Sequence, residues 1–77
     1  MFELPNMPEE LKKLETIVTD MELAPKLRTQ AIESIGNLKS YEALLTLLSL
    51  VANERLNFPE RDLALKKARE VLKSTQQ

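Results

Sequence analysis

YEALLTLLSLVAN, Tyr41 to Asn53, is the stretch whose reading decides the fold. It carries Leu44, Leu45, Leu47, Leu48, Leu50 and Val51 with no charge between Glu42 and Glu54. Its polar positions, Glu42, Thr46, Ser49 and Asn53, recur at i, i+4, i+7 and i+11, one thin stripe on a helix of 3.6 residues per turn. The rest of the circumference is apolar. Such a helix must be covered on most sides, by its own chain or by a partner. The polar stripe is then either a seam where another helix packs closely or the one face left open for a partner. Leu48 is expected near the centre of the core, so that Leu48→Asp would cost several kcal/mol by burying an unpaired charge.

Working outward, Ser40 is a good N-cap, its hydroxyl placed to accept an orphan N–H of the first turn. This predicts a helix over about 40–54. Upstream, Pro25 opens a helix over 25–36, with Leu27, Ala31 and Ile35 on one face. Gly36 follows the last periodic residue, where a left-handed cap favours glycine. The short loop to Ser40 then makes helices two and three an antiparallel hairpin. Before that, Pro8, Glu9 and Glu10 start a helix over 8–20, with Leu11, Leu14, Val18 and Met21 as its apolar stripe, widened by Ile17. Downstream, Pro59 opens a helix over 59–74 that buries Ala64, Leu65, Ala68, Val71 and Leu72. Asn57-Phe58-Pro59-Glu60 echoes Asn6-Met7-Pro8-Glu9, and in both the residue before Pro is read as the cap, with its apolar side chain as a staple. Residues 1–7 read as an arm, with Phe2 or Leu4 able to pack. Residues 8–77 read as one domain.

Composition agrees with helix throughout. There is one Gly among 77 residues and fifteen Leu, with 43% hydrophobic and 30% charged residues, an ordinary balance for an all-α chain. The fold class expected is four antiparallel helices in a hairpin array, with a compact four-helix bundle as the alternative. Cys and His are both absent, which removes disulfides and the thiolate and imidazole metal ligands. No cofactor motif is present. The longest apolar run falls well short of the roughly 20 residues of a membrane span. MFELPNMPEE lacks the basic, then apolar, order of a secretory signal, so the default compartment is the cytoplasm. Residues 1–24 carry a net charge of −4 and residues 25–77 one of +3, an asymmetry suited to head-to-tail docking.

Helices two and three resemble a HEAT repeat, in particular the short type of phycobilisome-lyase-like proteins. The residues that carry this are Pro25, Leu27-Arg28, Ala31, Ile35-Gly36, Tyr41-Glu42-Ala43-Leu44 and Leu47-Leu48. A second match, Arg61, Ala64 and Ala68, repeats Arg28, Ala31 and Ile35 at an offset of 33 residues. It departs from the pattern in having no Gly after Ala68. The resemblance implies an α-solenoid of one and a half to two repeats that binds proteins on a concave surface. It further implies that Glu42, Thr46, Ser49 and Asn53 face that surface, and that Arg28 serves packing and hydrogen bonding between repeats.

The function expected is therefore a small, non-enzymatic protein–protein interaction or adaptor module that binds a protein partner or itself. The carboxylates sit at helix starts or on exposed faces, and Thr46 and Ser49 have no His or Lys nearby to activate them. Leu63 lies off its helix's apolar face and joins the stripe as a candidate partner contact. Leu45, Leu50 and Leu56 are further candidates for incomplete cover. The alternative is a nucleic-acid-associated regulator using Arg61, Lys66, Lys67, Arg69 and Lys73. It is disfavoured because Asp62 and Glu70 interrupt these bases and the aromatics are too few for a stacking platform.

Overall fold

The computed structural model describes residues 8–75; the expected arm at 1–7, with Phe2 and Leu4, lies outside the described residues. Four helices follow in order: α1 Glu9–Thr19, α2 Pro25–Leu38, α3 Tyr41–Val51 and α4 Phe58–Thr75. No strand occurs among the described residues. The fold is all-α.

Two hairpins, α1/α2 and α3/α4, each pack closely, and α2 then packs against α4. The expected pairing of α2 with α3 exists but is the least extensive of the four main helix–helix contacts. The two hairpins are built alike. In the first turn Asp20 N–H donates to the Ile17 carbonyl (3.3 Å) and Leu23 N–H to the Asp20 carbonyl (3.1 Å). In the second, Asn53 N–H donates to Leu50 (3.1 Å) and Leu56 N–H to Asn53 (3.2 Å). The side chains repeat the same device: Glu22 N–H donates to Asp20 Oδ1 and Arg55 N–H to Asn53 Oδ1, both at 2.9 Å. Asp and Asn serve because a short acceptor can reach the backbone N–H two residues on. Each pair of turn residues is 33 positions apart, so the spacing read between Arg28 and Arg61 extends to the turns.

The core is Leu11 and Val18 from α1, Ala31, Ile32 and Ile35 from α2, Ala43, Leu44, Leu47 and Leu50 from α3, and Ala64, Ala68 and Val71 from α4, closed by Leu56. Leu50 and Leu56, read as incompletely covered, are buried, and Leu63 is half-buried against the core rather than presented to a partner. Leu48 is 43% exposed, so it does not centre the core. The fully buried neighbour Leu47 does.

Gly36 is also reassigned. The helix runs through it to Leu38, and Lys39 takes the left-handed conformation at φ 52°. Glycine is required at position 36 by proximity instead. A Cβ there would lie 3.0 Å from the Lys67 Cβ, which belongs to the helix packed alongside. A small residue at that point lets the α2 and α4 backbones approach closely.

The cap at Ser40 is as expected, its Oγ accepting from Ala43 N–H (3.1 Å). At α4 the cap is Asn57 rather than Phe58. Asn57 Oδ1 accepts from Glu60 N–H (2.9 Å) and Glu60 Oε1 accepts from Asn57 N–H (3.2 Å), a reciprocal capping box. Phe58 is 78% exposed and staples nothing.

Candidate functional site

The polar stripe on α3 does not remain together as an open face. Thr46 is buried, and its Oγ1 donates to the Glu42 carbonyl (3.0 Å), which satisfies the hydroxyl inside the packing. Glu42 and Asn53 are half-buried and only Ser49 is exposed. Asn53 is occupied by its turn. Thr46 is thus a small residue at a helix seam, and a partner could reach Ser49 most readily of the four.

The open side of α3 lies about a quarter-turn away and is apolar. Tyr41 (67% exposed), Leu45 (47%) and Leu48 (43%) stand at i, i+4 and i+7, and exposed Ala52 continues the line at i+11. The like-built first hairpin shows how this position is ordinarily filled. Thirty-three residues earlier stand Pro8, Lys12, Glu15 and Thr19, the polar outer side of α1. The inward positions of α1 and α3, by contrast, agree: Leu11 with Leu44, Leu14 with Leu47, Ile17 with Leu50 and Val18 with Val51. Packing inside the hairpin accounts for the shared aliphatic residues. It does not account for Leu45 and Leu48 where α1 has Lys12 and Glu15. Periodicity alone missed Tyr41 and Leu48 because an all-round apolar helix does not announce which side its neighbours leave bare.

The basic residues of α4 are divided. Lys66, Arg69 and Lys73 line a shallow groove of about 500 Å³ together with Asp62, Leu65 and Glu70. Lys67 is turned elsewhere, its aliphatic stem lying against Gly36 and its Nζ 3.3 Å from Glu70 Oε1. Arg61 borders a separate groove with Val51, Phe58, Asp62 and Leu65, and its Nε donates to the Val51 carbonyl (2.8 Å). That bond supplies a partner to a carbonyl at the end of α3. The five bases read together from sequence therefore form no single face.

A buried ion pair joins the hairpins. Arg28 NH2 and Glu60 Oε2 are 2.7 Å apart, and Arg28 Nε donates to the same oxygen at 3.0 Å. Arg28 NH1 donates to the Leu23 carbonyl (2.6 Å). Both residues are buried. The two carboxylate oxygens are divided between tasks, Oε2 for Arg28 and Oε1 for the α4 cap. The sequence carried half of this signal: Asn57-x-x-Glu60 is a capping-box spacing, though nothing local ties its Glu to Arg28.

Among the described residues no group of three or more acids has metal-holding geometry, and no helix is long and apolar enough to cross a membrane. Comparison with family models, with curated proteins and with solved structures finds no match for this chain.

Proposed function

We propose that this chain is a small non-enzymatic protein-interaction module of HEAT-like type, docking its partner on the outer face of α3. The observation that carries the reading is the Tyr41–Leu45–Leu48 stripe, apolar and exposed in the position where the like-built α1 presents Lys12 and Glu15. An apolar stripe exposed along a helix is the form of surface that a protein partner covers. The HEAT-like assignment is supported by the 33-residue recurrence of the turns and by Arg28, which hydrogen-bonds between hairpins. A nucleic-acid role draws less support, because Lys67 is engaged with Gly36 and Glu70, and Asp62 and Glu70 share the groove of Lys66, Arg69 and Lys73.

The test is a binding comparison between the wild type and Leu45→Glu. A protein captured by the wild type is purified, and its affinity for both forms is measured by calorimetry. A loss of tenfold or more, about 1.4 kcal/mol, with unchanged thermal unfolding supports the stripe. Equal affinities would remove it as the docking face.

A further inference from the structure

We propose that the outer face of α3 recognises a second copy of this chain, α3 against α3, antiparallel about a two-fold axis passing between Thr46 and Leu47. This rests on reading that face as an interaction surface and names its occupant. In a two-fold contact, residue i meets j while j meets i, so the surface must be complementary to itself.

The stripe meets that condition. Reversing α3 about the Thr46–Leu47 midpoint sets Tyr41 opposite Ala52 of the second copy and Leu45 opposite Leu48. The largest side chain faces the smallest, twice, and leucine faces leucine, twice. All four positions are exposed. The charges at the two ends of α3 follow the same rule. Lys39 stands just before its start and Glu54 just beyond its end. In the same register an antiparallel pair brings Lys39 to Glu54 of the second copy, twice, whereas a parallel pair sets each beside its own like. Neither Lys39 nor Glu54 takes part in an ion pair among the described residues. The flanking charges therefore set orientation and the stripe supplies the buried area. That area is modest. A helix of 11 residues offers a seam roughly 16 Å long, short of the ~1,200 Å² of a standard interface, so the dimer is a weak one.

Sedimentation equilibrium of the full chain, run up to millimolar concentration, reads the association. The wild type is expected to dimerise and Leu45→Glu to lose the dimer. Lys39→Glu and Glu54→Lys are each expected to weaken it, and the double exchange in one chain to restore it. The chain has no Cys, so a cross-link reads the orientation cleanly. Tyr41→Cys mixed with Ala52→Cys should form a mixed disulfide dimer, while each variant alone should not, because like positions are about 16 Å apart along the seam. Both substitutions are at exposed positions and remove no core packing, so this arm holds even if Leu45→Glu fails to fold. A monomer throughout the concentration range overturns the proposal, as does Tyr41→Cys cross-linking to itself as efficiently as to Ala52→Cys. A wild-type monomer that dimerises on Phe2→Ser/Leu4→Ser would make residues 1–7 the occupant and also overturn it. If the wild type is monomeric while Leu45→Glu still loses the captured partner, self-recognition fails and the interaction reading stands. If neither measurement responds to Leu45→Glu, both fail.

Discussion

Replacing Glu60 by Gln removes one charge, and the acceptor that faces Arg28, from the inside of the molecule. Gln can still complete the capping box with Asn57, because its carbonyl oxygen can accept the Asn57 N–H as Glu60 Oε1 does. What is lost is the anion 2.7 Å from Arg28 NH2 and, with it, the acceptor of Arg28 Nε–H, because the amide NH2 that replaces Oε2 only donates. With a side chain 8% exposed, the guanidinium cannot turn to water without opening the α2–α4 contact. Removing one member of a buried pair costs about 3–5 kcal/mol, mostly from the charge left behind. A single core of this size supplies only about 3–5 kcal/mol in all. Glu60→Gln is therefore expected to leave the chain near its unfolding midpoint at 25 °C. Arg28→Met should be nearly as damaging, since it strands the carboxylate. Arg28→Met/Glu60→Gln should be much less so, because no charge remains buried. Urea unfolding followed by far-UV circular dichroism, in sucrose to keep a folded baseline, gives the cycle. A coupling energy of about 2 kcal/mol or more is expected, persisting in 1 M salt because a buried pair is poorly screened. A Glu60→Gln cost under about 1 kcal/mol, or two single effects that simply add, would refute the reasoning.

Three further perturbations separate other parts of the argument. Gly36→Ala gains about 1 kcal/mol of helix propensity but forces a Cβ against the Lys67 Cβ at 3.0 Å. Overpacking of about 1–3 kcal/mol should win, so thermal unfolding should show a net loss; a stabilised variant would show that the close approach does not constrain the helices. Lys39→Gly relieves a left-handed residue at φ 52° and should stabilise by about 1 kcal/mol, read in dilute solution as a higher urea midpoint with unchanged slope. Leu47→Ala should cost about 2–5 kcal/mol, while Leu48→Asp should cost well under half as much because its side chain is exposed. Equal losses at 47 and 48 would put the wrong side of α3 in the core.

What the sequence made legible was local. Pro25 and Ser40 mark helix starts because their effects act within one turn, and four helices follow from such signals. Gly36 was misread because two mechanisms select the same residue. A cap needs its backbone freedom and a helix crossing needs its missing Cβ, and only the position of Lys67 distinguishes them. The site was legible in chemical kind but not in direction. An all-apolar α3 implied an uncovered surface, but the bare side depends on where α2 and α4 sit. Thr46 was consequently assigned to the same surface as Ser49, although one is buried and the other open. The Arg28–Glu60 pair spans two hairpins, and no periodicity within either one encodes it.

The way α1 is attached has a consequence for motion. Its close packing is with α2 alone, whereas α2, α3 and α4 each pack against one another in at least two ways. Leu11 and Val18 are the only residues of α1 that are fully buried. Lifting α1 away would expose these two, together with the partly buried Leu14 and Ile17, and leave the Arg28–Glu60 pair and the α3/α4 hairpin intact. The free energy of that opening is thus smaller than that of global unfolding. Native-state hydrogen exchange should divide the chain accordingly, with the amides of Glu9–Thr19 exchanging through a partial opening and those of α3 only when the whole domain unfolds.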